Sequence, residues 1–131
     1  MICLDSTFLI DVLRDDTKAI EKLREMVADD KVVTTIINAS EMLFGFYGAK
    51  IQQKEIEIAK SFLARILVLG LDIPAILKSG EIRRGLMKEG RLIGTNDLLT
   101  AGIMLHNGCS TILTRDVKDF ERISGISVIT Y

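Results

Sequence analysis

The feature that most limits how this chain can fold is a regular alternation of short apolar, β-branched runs with helical stripes, sustained from one end to the other. Met1-Ile2-Cys3-Leu4 is an apolar run that ends at Asp5 and passes into Phe8, Leu9, Ile10, Val12 and Leu13, the pattern of a buried strand running into a helix. Ile20, Leu23, Met26 and Val27 recur at three- and four-residue spacing, an amphipathic stripe over 18–27. Val32 to Ile36 has the β-branched density of a strand, and 38–47 returns to helix with Met42, Leu43 and Phe46 on one face. A helix over 52–66 then leads into a strand at 67–71, and Asp72-Ile73-Pro74 opens a helix to about Lys88, with proline suitably placed in its first turn. After the glycine-bounded loop 89–94, a helix begins at Asp97 and stops at Asn107-Gly108, before strands at 110–114 and 126–130.

Neighbouring parallel strands require crossover connections, so this alternation predicts an α/β fold. A central parallel sheet of four to five strands is expected, with helices on both faces, in one domain spanning 1–131. A chain of this length that is 48% hydrophobic can bury a full core without disulfides or a structural metal. Cys3 and Cys109 lack CxxC spacing and are expected to be reduced, buried thiols. Asp5, Asp11 and Arg14 interrupt the first apolar segment and no other run reaches membrane-spanning length, which suits a cytoplasmic protein. A net charge of −1 gives no overall basic field, so any site for a polyanion must be local.

Open parallel sheets bind ligands beyond the carboxyl ends of their strands, which directs attention to the residues that follow each strand. Asp5 follows the first directly, Glu41 lies about a helical turn beyond the second, Asp97 starts the helix before the fourth, and Asp116 follows the fourth. Carboxylates about 5 Å apart repel by roughly 3 kcal/mol per pair at an effective dielectric near 20, so four such groups need countercharge to stay ionised together. All-oxygen ligation suits Mg²⁺ or Mn²⁺, and two such ions can activate water and stabilise a leaving oxygen at a phosphodiester. Each acid also has a plainer reading. Asn38-Ala39-Ser40-Glu41 resembles a capping box with Asn38 as N-cap, Glu41 and Asp97 suit a first helical turn, and Asp119 can cap a short helix. Asp5 is harder to explain away, because a charge directly after an apolar strand is expensive without a partner.

Other chemistries lack their parts. His106 is the only histidine, which removes a two-histidine ribonuclease mechanism and a histidine-rich zinc site, and on its apolar helix it suits packing or the surface. No GxGxxG, Walker lysine loop or GxSxG elbow occurs.

The segments Leu4-Asp5-Ser6-Thr7-Phe8-Leu9-Ile10, Thr35-Ile36-Ile37-Asn38-Ala39-Ser40-Glu41, Asn96-Asp97-Leu98-Leu99-Thr100-Ala101 and Leu113-Thr114-Arg115-Asp116-Val117-Lys118-Asp119-Phe120 resemble, in order, the motifs of PIN-domain proteins of the VapC toxin family. The resemblance implies a PIN-like fold and a Mg²⁺- or Mn²⁺-dependent endoribonuclease, commonly a homodimer and commonly paired with an antitoxin protein. By motif position Asp5, Glu41, Asp97 and Asp116 match the acidic quartet, as catalytic residues and metal ligands. Ser6 and Thr114 match hydroxyl residues that support them, and Thr7 departs from the common Asn. Asp119 is expected in a capping or peripheral task, with a share in the metal role as the other reading.

Setting the four proposed ligands aside raises the net charge from −1 to +3. Arg14, Arg83, Arg84, Lys88, Arg91, Arg115 and Lys118 fall in segments able to face such a site, and Arg115 and Lys118, adjacent to it, are the candidates for touching RNA phosphates. Two rival readings are a catalytically silent PIN module, which a missing acid would favour, and a haloacid dehalogenase-type phosphatase. The latter wants a second Asp two residues after the first, where this chain has Thr7.

Overall fold

All the strands run parallel in a single sheet of order β3-β2-β1-β4-β5. The computed structural model describes residues 1–131, apart from the side chain of Asp29. Its elements in chain order are β1 (Ile2–Leu4), α1 (Ser6–Leu13), α2 (Thr17–Asp29), β2 (Val32–Thr35), α3 (Ile36–Phe46), α4 (Gln53–Leu63), β3 (Leu67–Leu69), α5 (Ile73–Lys88), α6 (Thr95–His106), β4 (Thr111–Leu113), α7 (Val117–Glu121) and β5 (Ser127–Ile129). The sheet therefore has five strands and the expected helical layers on both faces.

Side-chain alternation along the strands builds those layers. On β1, Ile2 and Leu4 join a cluster with Phe8, Leu9, Met42, Phe46, Ile56 and Leu113, which packs α1 to α4 against the sheet. Cys3 points the other way with Val33, Leu98, Ala101, Met104 and Ile112, under α5 and α6. The buried strands read as near-continuous apolar runs because both faces are covered. Cys3 and Cys109 are free and buried, and burial pushes both thiols up, so neither is a ready nucleophile.

The helix starts follow local chemistry. Asp16 and Asp72 accept from Ala19 N and Ala75 N, each at 3.0 Å, capping α2 and α5. The start of α3 corrects a sequence expectation: Thr35, not Asn38, is the N-cap, with its hydroxyl accepting from Asn38 N at 3.2 Å. Asn38 is instead fully buried, and Glu41 lies beyond the first turn, so no capping box forms. α6 begins at Thr95, two residues ahead of Asp97. It pairs closely with α5 through Gly102, where a Cβ would overlap Ser79 Oγ and lie 2.6 Å from the Ala75 carbonyl oxygen.

The strand order places the site. The chain builds outward from β1 to β2 and β3, then returns to lay β4 on the other side of β1. Connections leaving β1 and β4 diverge there, so a crevice opens at their carboxyl ends. Asp5 and the segment 114–116 follow those two strands.

Candidate active site

Asp5 is held from several sides. Its amide donates to Leu113 O at 3.1 Å, and the preceding Leu4 carbonyl accepts from Thr34 Oγ1 at 2.8 Å and from Asn38 Nδ2 at 3.3 Å. Although it occupies the N-cap position of α1, its side chain makes no cap bond; Oδ2 accepts from Thr114 Oγ1 at 2.6 Å and from Thr7 Oγ1 at 3.1 Å. Asp5 is 5% exposed, and burial raises its pKa. The hydroxyls of Thr114 and Thr7 and the Ser6 backbone oppose that rise, and the charge of Asp116 adds to it.

The other acids face the same place. Glu41 is raised first by burial and then by Asp5, with the adjacent side chains of Asn96 and Ser6 opposing. Asp97 is pushed up to about 7, by burial first, then by Asp5, Asp119 and Glu41. Asp116 follows β4 at the N-cap position of α7, and its amide donates to Thr114 Oγ1 at 2.9 Å. Thr114 is fully buried and so ties Asp5 to the backbone of Asp116 with a single hydroxyl.

Asp119 lies in the first turn of α7, in a place that suits the second of its two sequence readings. Its carboxylate makes no cap for α7; one of its oxygens lies within 4.8 Å of ligand atoms of both Asp97 and Asp116, half-buried in the cluster. The sequence pattern of Asp116-x-x-Asp119 held a signal for this, since a helical turn starting at Asp116 puts both acids on the same side. Arg122 Nη1 is the cation beside the cluster, 4.0 Å from Asp119 Oδ1 and 3.4 Å from the Leu92 carbonyl oxygen. The candidate RNA contacts are exposed, and Arg115 Nε lies 3.2 Å from Asp11 Oδ2. His106 is also exposed, 3.9 Å from Asp72 at the far end of α6 from Asp97.

The structure thus brings oxygens of Asp97, Asp116 and Asp119 within 4.8 Å of one another, with Asp5 and Glu41 outside that group but close enough for the charge of Asp5 to raise both Glu41 and Asp97. The excess of negative charge and the wholly oxygen donor set fit hard divalent cations, and raised carboxyl pKa values are what such a cluster shows without them. The acids line neither the cavity of about 280 Å³ beside α5, α6 and Arg122 nor that of about 430 Å³ among α1, α2 and α4. Sequence reasoning missed Thr34, Asn38 and Asn96, all polar groups whose roles depend on a neighbouring strand or helix. Asn38 Oδ1 is buried with no hydrogen-bond partner among the described residues.

The PIN domain family model matches residues 2–126. The tRNA(fMet)-specific endonuclease VapC of Shigella flexneri is 25% identical over 123 residues, covering 94% of this chain and 92% of that protein. Ribonuclease VapC1 of Haemophilus influenzae (strain R2866) is 28% identical over 124 residues, covering 94% of this chain and 92% of its own. The fold superposes on that of VapBC2 from Rickettsia felis, solved bound to a DNA fragment from their promoter, with a TM-score of 0.88 at 22% identity, covering 100% of this chain and 99% of that one.

Proposed function

Because the chain belongs to the PIN domain family, we propose that it is a Mg²⁺- or Mn²⁺-dependent endoribonuclease, the toxin of a toxin–antitoxin pair. The observation that carries this reading is the meeting of acids from β1, α3, α6 and the β4–α7 connection at one sheet edge, with oxygens of Asp97, Asp116 and Asp119 within 4.8 Å of one another. The ribonuclease and endonuclease names of the VapC relatives support it independently.

Asp5, Glu41, Asp97 and Asp116 would hold the cations, and Asp119 stands where it can share that task. Bound there, divalent ions supply Lewis acidity toward water and the scissile phosphate. The chain's own groups supply order. Thr114 keeps Asp5 pointed into the site through a 2.6 Å bond, and Ser6 and Asn96 flank Glu41. Arg115 and Lys118, exposed at the rim, offer phosphate contacts that fix a strand without reading its sequence. With all five acids present, a silent binding module has no feature in its favour.

The same reading makes residues 1–131 one catalytic domain in the cytoplasm, working as a homodimer and checked by an antitoxin protein. Among the described residues no helix is long and apolar enough to cross a membrane.

The test is cleavage of mixed cellular RNA by the wild type, Asp5→Asn and Asp97→Asn, with Mg²⁺, Mn²⁺ or chelator. Metal-dependent cutting that leaves a 5′-phosphate and a 3′-hydroxyl is expected, and its loss in both variants with folding intact. Products ending in a cyclic phosphate, made in chelator, would sink the proposal.

A further inference from the structure

Asp11 has no part in the acidic centre, yet it is committed to two partners. It lies on α1, its side chain is 16% exposed, and its Oδ2 accepts from Tyr131 Oη at 2.5 Å while standing 3.2 Å from Arg115 Nε. Tyr131 is fixed in turn by an edge-on contact with Phe8, ring centroids 4.8 Å apart. A polar chain therefore runs from Arg115 through Asp11 to Tyr131.

We infer that Asp11 and Tyr131 are positioning residues for Arg115, and that the Arg115 guanidinium takes a backbone phosphate of the RNA strand beside the acidic centre. This deepens the ribonuclease reading and rests on it. Arg115 stands between Thr114, which binds Asp5, and Asp116, so its backbone is fixed at the rim of the site. Its side chain is 59% exposed, and an ion pair that open to water adds little to stability. A half-buried acid and a phenol spent on one exposed arginine make sense as control of its direction. The ion pair engages Nε, which leaves the terminal N–H groups as a planar fork matching a phosphate. Preorienting that fork cuts the ordering cost of binding a strand.

The inference opposes simple charge counting, and the test uses that opposition. Binding of a fluorescein-labelled single-stranded RNA of mixed sequence is measured by anisotropy in Ca²⁺ over a range of KCl, for the wild type, Arg115→Gln, Asp11→Asn and Tyr131→Phe. Each single-strand phosphate contact contributes about 0.7 to the slope of log affinity against log salt. Arg115→Gln should lose about that much slope. Asp11→Asn removes a negative charge and on charge alone should bind RNA more tightly; positioning predicts binding weaker by about three- to tenfold, with the slope reduced as in Arg115→Gln. Tyr131→Phe, which changes no charge and keeps the ring on Phe8, should weaken binding about two- to threefold and covers the case in which Asp11→Asn does not fold. In cleavage assays all three variants should raise KM with kcat held. Tighter or unchanged binding by Asp11→Asn, or by Tyr131→Phe if it alone folds, or an unchanged salt slope in Arg115→Gln, overturns the inference. A wild type that neither binds nor cuts RNA would fail the ribonuclease reading itself, which is a separate result.

Discussion

Replacing Thr114 by Val keeps the shape of a fully buried side chain and deletes the hydroxyl that joins Asp5 to the Asp116 amide. At alkaline pH without cations, the 2.6 Å bond to an ionised, buried Asp5 is charge-assisted, a class worth about 1.5–3 kcal/mol. The Asp116 amide belongs to an exposed residue and can turn to water, so it adds at most a fraction of that. A loss of about 2–3 kcal/mol is expected near pH 8. At about 2.1 cal/mol/K per residue, 131 residues unfold with an entropy of roughly 280 cal/mol/K, so the melting temperature should fall by about 7–11 °C. Burial raises the Asp5 pKa, so the protonated fraction grows as pH falls from 8 to 5, and a bond to the neutral acid is worth only about 1 kcal/mol. The penalty should therefore be smaller at pH 5. Thermal unfolding in chelator at the two pH values measures both numbers. Equal penalties at pH 5 and pH 8, or a shift under about 2 °C at pH 8, would refute the claim that this hydroxyl supports an ionised Asp5.

Gly102→Ala should destabilise by about 2–4 kcal/mol in urea unfolding, because its Cβ would meet the Ala75 carbonyl at 2.6 Å and Ser79 N at 2.9 Å, backbone atoms that move only if α5 and α6 separate; a change under 1 kcal/mol would contradict that packing. In chelator the wild type should lose stability as pH rises. Asp5, Glu41 and Asp97 bind protons more tightly folded than unfolded, so their contribution is whole below about pH 4 and is lost as pH passes the folded values, about 7 for Asp97. For Asp97 alone that is about 2 kcal/mol after halving for solvent screening. Adding Mn²⁺ at pH 8 should restore the melting temperature, and a chelated protein that melts higher at pH 8 than at pH 5.5 would deny that the acids crowd one another.

The layered fold was legible because its cause is local. Runs such as Val32–Thr35 and Thr111–Leu113 are apolar or β-branched throughout and sit between helical stripes, and a strand buried on both faces needs no partner's identity to be recognised. Strand order was not legible, since nothing in residues 111–113 states that they will lie beside residues 2–4. The quartet could be put forward because Asp5 and Asp116 stand close behind β1 and β4 and all four acids fall, in order, in segments that resemble a known family's motifs. Asp119 was harder, because a cap and a cluster member look alike until the direction of α7 is known. Asn38 misled for a related reason: it is a good N-cap type, but Thr35 caps the helix one turn earlier by accepting from Asn38's own amide, leaving the Asn38 side chain to bond the Leu4 carbonyl across the sheet. Asp11 and Tyr131 gave no signal at all, being 120 positions apart in the chain.

The switch point between β1 and β4 also governs when the centre can exist. Thr114 and Asp5 are separated by 109 residues, and that bond waits for one of the slowest kinds of event in folding, the docking of a late parallel strand beside the first. A ribosome making this chain therefore holds a half-built centre, with Asp5 present and Asp116 still to come, until the last strands have emerged. On the ribonuclease reading proposed above, a chain still being made lacks the assembled set of acids until its last strands are in place.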